Sequence, residues 1–364
     1  MVYLIIAFLI SFLVCLLIIK FISWQSICDI SSGVQKFHPK PVPRIGGLAI
    51  YLACWSVSIV FYLIQKEFAK EFFLILICAF PVFFSGLLED VTKKVSPHWR
   101  LFAAFISGGL AFFLLSAEVT SIDIKFFDKI LACSWISFVF TTFAVAGVTH
   151  AFNIIDGFNG LCAGVSIIIF GAYAYVSFLV HDYFLLYLSL VMVFAILGFF
   201  VWNYPFGFIF LGDGGAYFLG YIAAILGVLI TQKHPVVSSW FPLMLVIYPV
   251  WETLFSAYRR KFFKGISPSS PDAVHFHTLV YRRLVKFTFG KNLDITQRNF
   301  LTSPYLWIIE IMCVIPAIIF WKDTHILMVC VFIFIIFYTW LYFRIIKFRT
   351  PKIFKIKKEI NNCP

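Results

Sequence analysis

Charge is what this chain has least of. Charged residues make up 13% of its 364 positions and apolar residues 62%, against roughly 25% charged in an ordinary soluble domain. A water-soluble globule is excluded on that balance alone, and a membrane protein is indicated. No CxxC pair occurs among the nine cysteines, and Cys15, Cys54, Cys78, Cys133, Cys313 and Cys330 lie inside apolar runs. That excludes the spacing of a zinc site or a disulfide framework and leaves the thiols as small apolar residues. Repeats, low-complexity tracts and a soluble domain are all missing. The first apolar run, Met1 to Ile19, has neither a basic leading region nor an A-x-A-like cleavage site, so it is expected to be a retained span rather than a signal peptide. The net charge of +12 does not point to a nucleic-acid partner, because basic residues of membrane proteins gather in cytoplasmic loops and beside anionic headgroups.

What the chain does have is a series of apolar runs, each near the 20 or so residues that cross a bilayer. Eleven are predicted, at 2–22, 46–64, 71–88, 101–118, 131–152, 160–180, 183–202, 209–230, 239–257, 304–321 and 326–343. The expectation is an all-α polytopic membrane bundle of about 11 transmembrane helices, forming one domain over 1–364, with a large loop at 258–303 and a basic tail at 344–364. Lysines and arginines crowd one set of alternate loops (23–45, 89–100, 153–159, 203–208, 258–303 and the tail), while the other set holds only Lys66, Lys70, Lys125, Lys129, Lys233 and Lys322. The excess of positive charge puts the first set in the cytoplasm, with the N-terminus outside and the C-terminus inside. The tail RIIKFRTPKIFKIKKEI interleaves basic residues with Ile and Phe and reads as a headgroup anchor.

Ionisable groups at membrane depth are costly and therefore point to function. Here they form four groups: Glu89 and Asp90 in SGLLEDVTKK; Asn153, Asp156 and Asn159 in HAFNIIDGFNGL; Asp213 in FIFLGDGGAYFLG; and His275 and His277 in SPDAVHFHTLVYRR. A topology drawn only from apolar runs and basic residues places all four on the cytoplasmic side. Each has a plainer explanation when taken singly. Glu89 and Asp90 could be a helix-end pair beside Lys93 and Lys94, the asparagines and Asp213 could be caps, and the histidines could be loop residues. Lys36, His38 and Lys40 could be topology signals only. Their joint placement favours chemistry. Oxygen-only ligands suit Mg²⁺, or Mn²⁺, rather than zinc, and a hard cation beside Arg and Lys suits a diphosphate. The glycines around Asp213 open a helix whose N-terminus favours anions. Glu252 is expected near the site, and Glu310 to be paired within the bundle. Phosphoryl-type transfer between a soluble diphosphate donor and a lipid phosphate follows as the expected reaction class. A polytopic transporter or lipid carrier without transferase activity is the competing class; acidic residues at one face and the lack of internal repeats disfavour it. A catalytically silent chain is disfavoured by the presence of both Asp156 and Asp213.

Over residues 33–285 the chain resembles the polyprenyl-phosphate N-acetylhexosamine-1-phosphate transferases. The segments that carry the resemblance are KFHPKPVPRIGG (36–47), GLLEDVTKKVSPHWRL (86–101), NIIDGFNGL (153–161), FLGDGGAYFLG (210–220) and SPDAVHFH (270–277). The resemblance implies an eleven-span bundle, often dimeric, in a bacterial inner membrane with its site facing the cytoplasm. It implies that undecaprenyl phosphate attacks the β-phosphorus of a UDP-N-acetylhexosamine and releases UMP, with Mg²⁺ required and the sugar C1–O bond intact. Position by position, it implies Asp213 and Asp156 as metal ligands, with Asp156 also catalytic, and Glu89 and Asp90 acting on the acceptor phosphate. It further implies His275 and His277 as catalytic, and Lys36, His38, Lys94, Asn153, Asn159 and Gly160 as substrate-binding, Asn159 through uracil. Glu89 stands where the family has a first Asp, and Thr278 where it has a further His. These departures point towards enzymes that start O-antigen-type polymers rather than the peptidoglycan translocase.

Overall fold

In the computed structural model, residues 2–21, 28–29, 41–64, 66–264, 274–290 and 292–347 are described. Among these described residues, eleven helices are long and apolar enough to cross a membrane. They are α1 (Val2–Phe21), α2 (Gly46–Ile64), α3 (Lys66–Thr92), α4 (Pro97–Leu115), α6 (Ser134–Ile155), α7 (Leu161–Leu179), α8 (Tyr183–Asn203), α9 (Gly212–Lys233), α10 (Trp240–Lys264), α14 (Ser303–Ile319, continuing the short α13, Ile295–Phe300) and α15 (Thr324–Ile346). Each coincides with an expected span. Backbone amides and carbonyls buried in lipid find partners only within a helix or a closed barrel, so a hydropathy run of this length leaves no other outcome. The differences lie at the ends. Helix α3 starts earlier than expected and runs on to Thr92, so Glu89 and Asp90 belong to the helix and not to the loop after it.

The polar segments carry structure that an apolar window cannot detect. A short helix, α5 (Lys125–Leu131), precedes α6. Helix α10 continues to Lys264, inside the stretch expected to be loop. Past the undescribed 265–273, α11 (Phe276–Leu279), a π-helical stretch (Val280–Val285) and α12 (Lys286–Phe289) form one helical rod. Helix α13 begins with a reciprocal cap in which Asp294 and Gln297 each accept the other's backbone N–H. Two residue pairs, β1 (Cys28–Asp29) and β2 (Val42–Pro43), align antiparallel.

Helix α9 is the axis of the bundle. Of its membrane window 89% is buried, against 28% for α1, which lies at the periphery against α2 and α8. Without a hydrophobic driving force between helices in lipid, close packing relies on small residues. A Cβ on Gly47 would fall 2.1 Å from Gly215 Cα, and one on Gly86 2.5 Å from Gly214 N. Helices α2 and α3 therefore meet α9 backbone to backbone at its first turn. Pro43 to Gly47 is stitched to the chain entering α9, with Phe210 N–H donating to Pro43 O, Gly46 N–H to Phe210 O and Gly47 N–H to Leu211 O, each at 2.8 Å. The four sequence segments that hold the polar groups all lie at this end.

Candidate active site

The first turn of α9 leaves backbone N–H groups without intrahelical partners. The expected consequence was an anion site for a ligand. The anion found there belongs to the protein. Asp90, 2% exposed near the end of α3, accepts from Asp213 N–H through Oδ1 and from Gly214 N–H through Oδ2, both at 2.9 Å. Arg44 Nε lies 3.5 Å from the same Oδ1. Gly212 precedes this turn at φ +78°, and a Cβ there would strike Arg44 O at 2.2 Å and Asp90 Oδ2 at 2.6 Å. With both oxygens engaged, Asp90 fixes the start of α9 and so aims Asp213; its geometry is that of a positioning residue.

Asp213 is buried and held by two guanidinium groups, Arg44 on Oδ1 and Arg100 on Oδ2. Arg100 projects from the first turn of α4, a helix capped by Ser96, whose side chain accepts from Trp99 N–H, with Pro97 at its start. Both arginines lie in the motifs quoted above, where the positive-inside pattern already accounts for basic residues. Only Arg100 carried a local signal, ten positions after Asp90 in the same segment; Arg44 sits in a segment with no acidic residue. Glu89, the other member of the pair, is partly exposed and turns away from this cluster. Its Oε2 accepts from Val95 N–H at 2.7 Å, closing the turn into α4, and Lys94 is exposed on that turn.

Asp156 follows α6 and opens the loop to α7. Its N–H donates to Asn153 O at 3.3 Å, so the contact with Asn153 is through backbone. Burial pushes the Asp156 carboxyl up to about 7; the positive field of Arg44 opposes this, and the negative charge of Asp213 adds to it. Those influences place Asp156 within electrostatic reach of the Arg44–Asp213 pair. The rest of the loop is clasped from three sides. Asn159 N–H donates to Asn299 Oδ1 at 2.8 Å, Asn159 Nδ2 to Pro205 O at 3.0 Å, Gly160 N–H to Asn203 Oδ1 at 2.6 Å, and Ser303 Oγ to Asn159 O at 2.6 Å. Asn159 is 5% exposed. Its side-chain Nδ2 ties the loop to the α8–α9 connection, with Asn203 and Asn299 as clasp residues the sequence did not single out.

The histidines arrive from the rod after α10. His277 packs on the Asp156 loop: a Cβ on Gly157 would meet its Nε2 at 3.0 Å, and the Phe158 ring stands edge-on to it at 5.6 Å. His275 stacks on His277 with ring centroids 5.2 Å apart and planes 10° from parallel. Glu252, from α10, reaches His275 Nδ1 at 2.9 Å. Glu310, expected to be paired, is fully buried in α14, and neither oxygen has a hydrogen-bond partner among the described residues. Lys36 and His38 lie outside the described residues.

Asp90, Asp213, Arg44 and Arg100 thus form one cluster, with Asp156 in its electrostatic field and His277, on which His275 stacks, against the loop that carries Asp156. Two carboxylates, Asp90 and Asp213, face two guanidinium groups. No group of three His, Cys, Asp or Glu able to hold a metal is present among the described residues. The donor chemistry still fits Mg²⁺, which binds through one or two carboxylates plus substrate phosphates and water rather than in an all-protein cage. Asp213 and Asp156 are the carboxylates not committed to backbone amides; at Asp213 the ion would share or replace a guanidinium.

Residues 72–231 match the family model described as Glycosyl transferase family 4. The chain is 28% identical over 302 residues to a probable undecaprenyl-phosphate N-acetylglucosaminyl 1-phosphate transferase of Bacillus subtilis (strain 168), covering 81% of each. To an undecaprenyl-phosphate alpha-N-acetylglucosaminyl 1-phosphate transferase of Yersinia pestis it is 27% identical, covering 68% of each. To a phospho-N-acetylmuramoyl-pentapeptide-transferase of Staphylococcus aureus it is 30% identical, covering 65% of this chain and 77% of the relative.

Proposed function

The chain belongs to the polyprenyl-phosphate sugar-1-phosphate transferases of glycosyl transferase family 4, and from that premise we propose that it transfers an N-acetylhexosamine 1-phosphate from a UDP-sugar to undecaprenyl phosphate at the cytoplasmic face of a bacterial inner membrane. An oxygen of the lipid phosphate bonds to the donor's β-phosphorus. The bond from that phosphorus to the oxygen bridging the α-phosphate breaks, and UMP leaves with the bridging oxygen and the electron pair. The sugar keeps its C1–O bond.

The observation that carries this reading is the Arg44–Asp213–Arg100 arrangement at the head of α9. Planar guanidinium groups pair with carboxylate and phosphate oxygens alike, so Arg44 and Arg100 are suited to receive a diphosphate in place of Asp213. A Mg²⁺ held by Asp213 and Asp156 would supply neutralisation of the charge that builds on the leaving UMP. Asp90 holds the first turn of α9 rigid, and so limits reorganisation as charge moves. Donors of UDP-GlcNAc type are favoured by two of the relatives named above, and starting a lipid-linked surface polysaccharide such as O-antigen is the role that fits such a product. The membrane supplies the acceptor laterally, and a homodimer is part of this reading.

UMP release by purified protein, with undecaprenyl phosphate, Mg²⁺ and a panel of UDP-N-acetylhexosamines, tests the proposal. Release that needs lipid and stops with EDTA is expected. Release that continues without lipid would exclude the transferase reaction.

A further inference from the structure

Glu252 is a carboxylate 1% exposed, four residues before Ser256 on α10, and both of its oxygens are engaged by neighbouring groups. Oε1 accepts from Ser256 Oγ at 3.1 Å and from Phe276 N–H at 3.2 Å, and lies 2.9 Å from His275 Nδ1. Oε2 accepts from the hydroxyl of Tyr338 on α15. Phe276 N–H is an obligatory donor, so Oε1 is an acceptor. With the carboxylate ionised, all four groups are satisfied when Ser256 donates to it and His275 Nδ1–H is shared between Glu252 and Ser256 Oγ, the latter at 3.1 Å. A buried charge so fully bonded is strongly anchored. The anchor reaches further: Tyr342, one turn along α15 from Tyr338, donates to Val274 O at 3.0 Å, the carbonyl just before His275. Arg283, in the rod, donates to the carbonyls of Ile345 and Ile346 at the end of α15.

We infer that Glu252, braced by Tyr338 and Ser256, is the positioning residue for His275, fixing its Nδ1–H tautomer and ring plane so that Nε2 is the nitrogen left to exchange a proton or bond phosphate. This rests on the reading of His275 as part of the transferase site. A carboxylate on Nδ1 also balances positive charge whenever Nε2 takes up a proton, the logic by which buried acids orient catalytic histidines on unrelated folds. Helix α15 gains a task beyond crossing the membrane: its C-terminal half is the wall against which the histidine segment is set.

The test uses the full chain in lipid nanodiscs, with UDP-N-acetylglucosamine, undecaprenyl phosphate and Mg²⁺, together with ¹⁵N-histidine spectra of the same samples. Glu252→Gln is expected to lower kcat on the order of 10- to 100-fold with little change in the donor KM, and to remove the Nδ1–H signature of the ring whose signal is missing from His275→Ala. In the His275→Ala background, Glu252→Gln should cost nothing more, because the two act as a unit. Tyr338→Phe removes only the hydroxyl brace, serves should Glu252→Gln fail to assemble, and is expected to weaken the same signature and lower kcat less. Additive losses in the double variant, or an unchanged Nδ1–H signal in Glu252→Gln, would overturn the inference. A fully active His275→Ala protein with an altered tautomer in Glu252→Gln would instead remove the catalytic reading and leave the positioning contact standing.

Discussion

Two neighbouring carboxylates, Glu89 and Asp90, look interchangeable as letters, yet helix phase separates them. One faces the core and holds two α9 amides; the other closes a turn in partial contact with solvent. Asp90→Asn is expected to cost about 2 kcal/mol of stability, the scale of hydrogen bonds to a charged group, and to lower turnover along with the unfolding temperature. Glu89→Gln should change both much less, and paired thermal-unfolding and UMP-release measurements check the contrast. Asp213→Asn should abolish turnover while the protein stays assembled in the membrane, because its partners are side chains rather than backbone; size-exclusion profiles beside activity distinguish this from misfolding. Arg100→Gln should raise the donor KM at least several-fold with a smaller change in kcat, a result readable from initial rates. The sequence exposed the acids because a charged residue near a span is conspicuous. It hid Arg44 and Arg100 because basic residues at this face are expected for topology alone, and nothing in composition says which of them turn inward. It hid the clasp on the 159–160 turn because the partners, Pro205, Asn299 and Ser303 on Asn159 and Asn203 on Gly160, lie more than 40 positions away along the chain.

At the scale of elements, the glycines of α9 decide how near α2 and α3 can come. Gly86→Ala would bring its Cβ within 2.5 Å of Gly214 N, a backbone atom that cannot swing aside. Overpacking of this kind costs about 1–3 kcal/mol, and because the push falls on the first turn of α9, loss of activity should exceed loss of stability; comparing the two in one preparation is the check. Gly109→Ala, where the nearest atoms are on the Phe138 ring at 3.6 Å, is the control expected to be neutral. The long apolar helices were legible because hydrocarbon permits little else. The rod at 276–289, the capped α13 and the α10 extension were not, since short polar helices are held by tertiary contacts and carry no apolar run of their own.

Over the whole molecule, polar chemistry gathers at one end of the bundle while the other end is tied by structural contacts such as Asp123 with Ser238, Ser239 and Thr324. If the basic end faces the cytoplasm, an impermeant thiol reagent applied outside whole cells should label a cysteine engineered at exposed Lys322 and spare one at exposed Lys94, in a background where exposed Cys133 is replaced. The reverse pattern would invert the molecule. The Asp90 clasp also bears on how the chain is made. Asp90 leaves the ribosome 123 residues before the amide of Asp213, which at ordinary synthesis rates is a wait of about 6 to 25 s. Through that interval Asp90 has no α9 amide to accept from. Biogenesis of the site is therefore ordered by the chain itself: the acid is stationed first, and the helix it will hold is delivered to it.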